Sequence, residues 1–202
     1  MQHNVALIIL AAGNSSRLGQ PKQLKMHAGK TLLEHALAAG VQSACASVYV
    51  VLGSACEKMQ ELICAQPVTV IHNESWESGM GSSISAGVQQ LLSKESGCDA
   101  IIISTCDQPF LSSDIFNQLI ERHKESPTKI VASAYGGTFG VPVLFPMDCA
   151  DELAQLSGNE GAKKVIMRHQ DKLATVPFPN GDCDIDTEAD WQAFLAQTSG
   201  SI

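Results

Sequence analysis

Residues 5–10 read VALIIL, an unbroken apolar run rich in branched side chains. A run this short and this apolar is a strand buried on both faces, the kind found inside a parallel sheet. It leads straight into Ala11, Ala12 and Gly13, then polar Asn14, Ser15 and Ser16, with Arg17, Gly19 and Lys22 beyond. Small residues leave the backbone open to a ligand. A buried strand that opens into a glycine-bearing loop followed by cations can wrap its N–H groups around phosphate. Neither familiar phosphate loop fits. Five residues rather than four separate Gly13 from Gly19, Gln20 follows instead of Lys, and G-x-G-x-x-G is absent from the turn. An ordinary strand-to-helix loop with chance cations is the alternative that these residues alone leave open.

Further strands and helices alternate after it. Residues 31–41 place Leu32, Leu33, Ala36, Leu37 and Gly40 on one helical face, 47–52 and 68–71 read as strands, and 55–65 as the helix between them. A helix over 82–93 starts on a serine N-cap, 100–104 is a fourth buried strand, and 113–124 the helix after it. Repeated strand–helix units imply right-handed crossovers and ligands at the carboxyl ends of the strands. The rhythm then changes: strands 130–134 and 141–145 are joined by glycine-rich 135–140, followed by helices 150–156 and 162–169, strand 173–176 and helix 188–197. The expected fold is α/β, a single three-layer domain over residues 1–202. Its sheet is mostly parallel, with helices on both faces and a small antiparallel addition.

A 45% hydrophobic fraction is enough for a real core. The formal charge of −8 argues against nucleic acid or an anionic membrane surface as the main partner. Residues 1–30, however, hold Arg17, Lys22, Lys25 and Lys30 without one carboxylate, which predicts a local positive region. Seven scattered cysteines with no C-x-x-C pair suit neither a disulfide framework nor a zinc site and fit a reducing cytosol, so a cytoplasmic protein is expected. The run at 5–10 has no basic segment before it and is not read as a signal peptide, and no stretch is long enough for a membrane span.

The residues 10–24, LAAGNSSRLGQPKQL, resemble the signature of the molybdenum cofactor cytidylyltransferases, within the nucleotide-sugar-type nucleotidyltransferase (nucleotide-diphospho-sugar transferase-like) superfamily. Asn73, Trp76, GMGSSISAG at 79–87, CDQPF at 106–110, YGGTFGVPVLF at 135–145 and DIDTEAD at 184–190 are similar to family blocks in family order. The resemblance implies Mg2+-dependent transfer of CMP from CTP to the phosphate of a molybdopterin-type cofactor, with release of pyrophosphate. A recipient molybdoenzyme is a further partner that it suggests. One block departs from the pattern: where the family usually resembles G-D-x-G-A-R, residues 158–163 read GNEGAK, so Asn159 and Lys163 put bidentate recognition of an acceptor phosphate in question.

Asp107 follows the strand 100–104 almost at once, where a hard oxygen donor suits Mg2+; a turn or helix-capping aspartate is the alternative. Asp184 and Asp186, two apart, face the same side of an extended segment. The resemblance makes Asp107 and Asp186 the metal ligands, with Asp184 either in that role or supporting it. Arg17 and Lys22, with Asp107, are the expected catalytic groups, because fixed cations offset charge that builds during attack on an α-phosphorus; a solvated lysine is the alternative for Lys22. Lys25 and Lys30 read as surface charges. Leu10, Ala11, Ala12, Gly13, Lys22, Gly79, Ser82 and Ser83 are the expected nucleotide-binding set: the small residues at 79–83 admit a flat base, although a well-capped helix would explain the serines alone. Trp76 reads as packing, and Gly136, Gly137, Gly140 and Pro142 as the acceptor side. Two rivals stand beside this reading. One is a transferase using GTP or another phosphorylated acceptor, since guanylyl relatives usually show glycine where Ala12 stands. The other is a non-catalytic nucleotide- or cofactor-binding maturation factor.

Overall fold

The structure is a computed structural model that describes residues 4–15, 18–94 and 97–199. The N-terminal apolar run becomes β1 (Val5–Ala11), buried along its whole length. After the loop, a two-residue ribbon of β2 (Met26–His27) and β3 (Lys30–Thr31) delivers the chain to α1 (Leu32–Val41). Thr31 and Glu34 cap that helix reciprocally, each side chain meeting the other's backbone N–H. Next come β4 (Ser47–Leu52), α2 (Cys56–Ile63), β5 (Thr69–His72), α3 (Met80–Lys94), β6 (Ala100–Thr105) and α4 (Ser113–Glu125). The remainder is β7 (Ile130–Tyr135), β8 (Thr138–Pro146), α5 (Ala150–Ala154), α6 (Ala162–Arg168), β9 (Leu173–Pro177) and α7 (Glu188–Ser199).

The main sheet has seven strands in the order β5-β4-β1-β6-β8-β7-β9. β8 runs antiparallel to both neighbours, β6 and β7, while the other pairings are parallel. β1 lies between β4 and β6, with Ile8 opposite Tyr49 on one side and Ile103 on the other. The chain runs outward from β1 through β4 to β5, then returns on the far side of β1 as β6. Strand order reverses there, which opens a crevice beyond the carboxyl ends of β1 and β6.

The pleat divides the core. Leu7 and Ile9 face Leu37 of α1, Met59 of α2 and Phe116 of α4, whereas Ile8 and Leu10 face Val88 of α3, Leu153 of α5 and Val165 of α6. Glycine lets both layers press onto β1: a Cβ on Gly40 of α1 would lie 2.7 Å from Leu7 Cδ2, and one on Gly87 of α3 2.7 Å from Ile8 Cγ2. The expected link at 135–140 is shorter than the sequence suggested. Only Gly136 and Gly137 form the turn, with φ of 54° and 74°, and the strands extend up to it. Register slips between Ala132 and Ser133, leaving Val141 and Pro142 outside the β7–β8 pairing; the Ser133 hydroxyl donates to the Pro142 carbonyl at 2.7 Å. α5 stops at Ala154, short of the expected 156, because the chain turns there toward Gly158 in a left-handed conformation. Among the described residues no helix is long and apolar enough to cross a membrane.

Candidate active site

A cleft of about 530 Å³ occupies that crevice. Leu10, Ala11, Ala12 and Gly13 line one part of it, Gly79 and Ser83 another, and Lys22 and Asp107 a third. Trp76 packs over Gly53, where a Cβ would meet the indole side chain at 2.5 Å, and also borders the cleft. Ser82 does not line it. Its hydroxyl lies 2.9 Å from the Ser75 carbonyl and 2.8 Å from that of Gly79, and accepts from Asn73 Nδ2. Asn73 also donates to Ser83 Oγ at 3.0 Å and accepts the Ser75 N–H, so one buried amide braces the entry to α3. Gly79 and Gly81 also have a packing reason to be small. A Cβ on Gly79 would sit 2.3 Å from the Gly158 carbonyl oxygen, and one on Gly81 2.6 Å from that of Ser157. The departing block at 158–163 thus packs directly against the start of α3.

The phosphate-loop segment is held from behind by Gln23, which is 1% exposed. Its amide donates to the carbonyls of Ala11 at 3.0 Å and Gly13 at 2.8 Å, while the Ala12 carbonyl accepts the Ser54 N–H. In trans peptides this points the N–H groups of residues 12 and 14 away from Gln23. Ser15, left-handed at φ 53°, accepts the Lys22 N–H at 3.0 Å, which fixes the backbone from which the lysine projects. Arg17 lies outside the described residues.

Lys22 Nζ donates to Asp107 Oδ2 at 2.6 Å and to Asp186 Oδ1 at 2.7 Å. Burial acts to lower the lysine's pKa, but Asp107 and Asp186 more than offset it, so the net shift is upward and the ammonium stays charged. Asp107 lies two residues past β6, and its carbonyl accepts the Ile185 N–H at 3.0 Å, which draws 184–186 alongside. Each neighbour of Asp186 has its own task. Ile185 is fully buried with Leu32, Trp191 and Phe194; Asp190 accepts the Thr187 N–H at 2.7 Å while Thr187 Oγ1 accepts the Asp190 N–H at 3.2 Å. Lys22 bonds Asp186 rather than Asp184. Although Asp184 is exposed as a residue, partial desolvation of its carboxyl, with the charges of Asp107 and Asp186, pushes it up to about 6. Cys106 lines the cleft but is buried, and desolvation with the Asp107 charge pushes its thiol up to about 12, so it stays protonated. Among the described residues no group of three or more His, Cys, Asp or Glu gathers around one point. Two carboxylates that already share a cation fit an ion such as Mg2+, which keeps waters and takes substrate oxygens, better than an ion needing a closed protein cage.

Residues 7–173 match the family described as MobA-like NTP transferase domain. The chain belongs to that family and is a nucleotidyltransferase. It is 34% identical over 171 residues to nicotine blue oxidoreductase of Paenarthrobacter nicotinovorans, covering 81% of each chain. Purine catabolism protein PucB of Bacillus subtilis (strain 168) is 30% identical over 171 residues, 81% of this chain and 80% of that one. Molybdenum cofactor cytidylyltransferase of Escherichia coli (strain K12) is 24% identical over 185 residues, 91% and 92% of the two chains. Among solved structures, Rv0371c from Mycobacterium tuberculosis H37Rv superposes with a TM-score of 0.84 at 24% identity, covering 97% of this chain and 99% of that one. Its manganese complex gives 0.79 at 22% identity, covering 96% and 98%. The three-layer, mostly parallel fold is therefore shared with these structures.

In this MobA-like chain the expected acceptor residues are not among those that line the cleft. Gly136 and Gly137 are the β7–β8 turn, Gly140 packs under Tyr135, and Pro142 sits in the register slip. Gln108, 2% exposed and next to Asp107, donates to the carbonyls of Val141 at 3.2 Å and Gly181 at 2.7 Å. Lys25 corrects a sequence expectation. It is 7% exposed, paired with Glu188, with its ammonium 5.3 Å from the Trp191 ring centroid. The far end of the chain covers it, and no local spacing announces that. Lys30 is exposed as expected. Nor does spacing distinguish Gln23, Asn73 or Gln108 from solvated amides.

Proposed function

We propose that this transferase moves CMP from CTP to the phosphate of a molybdopterin-type acceptor. The observation that carries the reading is the convergence of Asp107, Asp186 and Lys22 at one end of a cleft lined by 10–13. A divalent cation, Mg2+ in the cell, would be held by Asp107 and Asp186 and would neutralise charge on the phosphates. The N–H groups of residues 12 and 14 would face the triphosphate, and Lys22 and Arg17 would supply positive charge. Gly79 and Ser83 border the nucleoside; Ser82 acts through Asn73 and the α3 entry. An acceptor phosphate oxygen approaching from the side of Gly136, Gly137, Gly140 and Pro142 attacks the α-phosphorus in line. That bond forms as the bond to the bridging oxygen breaks, and pyrophosphate leaves with the electron pair, so no covalent enzyme intermediate is required. The cytidylyltransferase similarity over nine-tenths of each chain supports CTP and the pterin acceptor. None of the seven cysteines is in a disulfide, which supports a cytoplasmic setting. A recipient molybdoenzyme would take up the product.

Pyrophosphate release measured with CTP or GTP, with and without the pterin acceptor, tests this directly. CTP should be preferred in kcat/KM and release should require acceptor and Mg2+, with Asp107→Asn costing about 10²–10³ in rate. A GTP preference would move the enzyme to the guanylyl group; no turnover with either would favour a binding role. Asn159 and Lys163, where the family pattern has an acidic residue and arginine, favour a second reading in which the same transfer goes to a different phosphorylated acceptor.

A further inference from the structure

The Lys22 ammonium stands where the proposed metal would bind. Its Nζ is 2.6 Å from one carboxylate and 2.7 Å from the other, and an ion reaching the same two oxygens at about 2.0–2.1 Å must take that space. A divalent ion and an ammonium cannot both be there. We propose that Lys22 is a placeholder that holds Asp107 and Asp186 together until metal arrives, and that metal entry drives its side chain onto the nucleotide phosphates. The proposal rests on the reading of Asp107 and Asp186 as metal ligands.

Charge and anchoring both support it. Two carboxylates brought within reach of one ammonium repel each other across the site, and the nearby Asp184 carboxyl adds to that repulsion, so a cation between them favours the arrangement. A divalent ion bound to the same two oxygens takes over that task from the ammonium. The backbone of Lys22 cannot follow its side chain out: its N–H is bonded to Ser15 Oγ at 3.0 Å, and the next residue, Gln23, is locked beneath the loop. The four-carbon stem is the part free to swing, and Lys22 lines the same cleft as Ala12 and Gly13. A displaced ammonium needs a new anion, and a triphosphate on that loop supplies one. Metal alone must therefore compete with the lysine, whereas metal arriving with nucleotide gives it a destination. By linkage each ligand then strengthens the other.

Titration with Mn2+ alone, followed by electron paramagnetic resonance of the free ion, separates the possibilities. Lys22→Met keeps the stem without the charge and should bind Mn2+ about tenfold more tightly than wild type, the scale of removing one competing charge-assisted contact. Wild type provides a second readout should that variant fail to fold. Acylation of the Lys22 amine, followed by peptide mass spectrometry, should be slow without metal and rise when Mn2+ alone is added. Equal or weaker Mn2+ binding by Lys22→Met while Asp107→Asn loses it, or Lys22 labelling indifferent to Mn2+, overturns the placeholder and leaves the metal site standing. If Asp107→Asn binds Mn2+ as wild type does even with CTP present, the metal reading fails and the placeholder with it.

Discussion

Gln23 shows how far one buried amide can set the geometry of a ligand loop. It satisfies two carbonyls at once, so Gln23→Leu, close in volume, would leave the Ala11 and Gly13 oxygens without their partner. The expected cost is about 1–3 kcal/mol, seen as a fall in melting temperature of roughly 2–4 °C per kcal/mol for a chain of this size. KM for nucleotide should rise with it, because the loop's N–H groups lose their fixed direction; an unchanged KM would separate Gln23 from binding. Asp107 and Lys22 stood out in the sequence by their type and their position after a strand and after a proline, and Asp186 through the family resemblance; the fold brings the three side chains together. Gln23, Asn73 and Gln108 were not. An amide's role depends on which carbonyls the fold brings to it, and those of Val141 and Gly181 lie far from Gln108 along the chain.

Glycines that look alike in the sequence divide by the element they serve. A Cβ on Gly13 would meet nothing among the described residues within 4 Å, whereas one on Gly81 would meet backbone atoms of Ser157 at 2.6–2.7 Å. Gly13→Ala should thus keep the wild-type melting temperature and weaken CTP binding by intruding on the cleft. Gly81→Ala should destabilise by about 1–3 kcal/mol from overpacking, less up to about 1 kcal/mol regained in helix propensity. Thermal unfolding with CTP titration on both variants checks the pair; a Gly13→Ala variant that unfolds early with normal CTP affinity would reverse the assignment. The strand–helix rhythm was readable because each buried strand is long enough to show its apolar run. The β2–β3 ribbon, two residues per strand, has no period to detect, and the register slip at Ala132 depends on Ser133 meeting a carbonyl across the hairpin.

Across the whole molecule, two of the four cations expected to make a positive region in residues 1–30 are paired off, Lys22 by Asp107 and Asp186 and Lys25 by Glu188, while Lys30 is exposed. Under the proposed function, nucleotide recognition would then lean on the loop backbone and the metal more than on a standing positive surface. The cleft draws on β1, β6, the start of α3 and, through the carboxylates, the segment before α7, so its ligands bind only the assembled fold. CTP with Mn2+ at a hundred times its Kd should add about 2.7 kcal/mol, raising the melting temperature by roughly 5–10 °C; Asp107→Asn should show a much smaller rise.

The bond from the Ile185 N–H to the Asp107 carbonyl has a practical consequence for anyone trimming the gene. The family match ends at residue 173, yet Asp186, the Glu188 partner of Lys25 and the Trp191–Phe194 cover all follow it. A fragment cut at the matched boundary would keep the loop and one carboxylate, strip the roof from Leu32 and Lys25, and leave Lys22 with half its anchorage. The matched family domain ends there; the working unit does not.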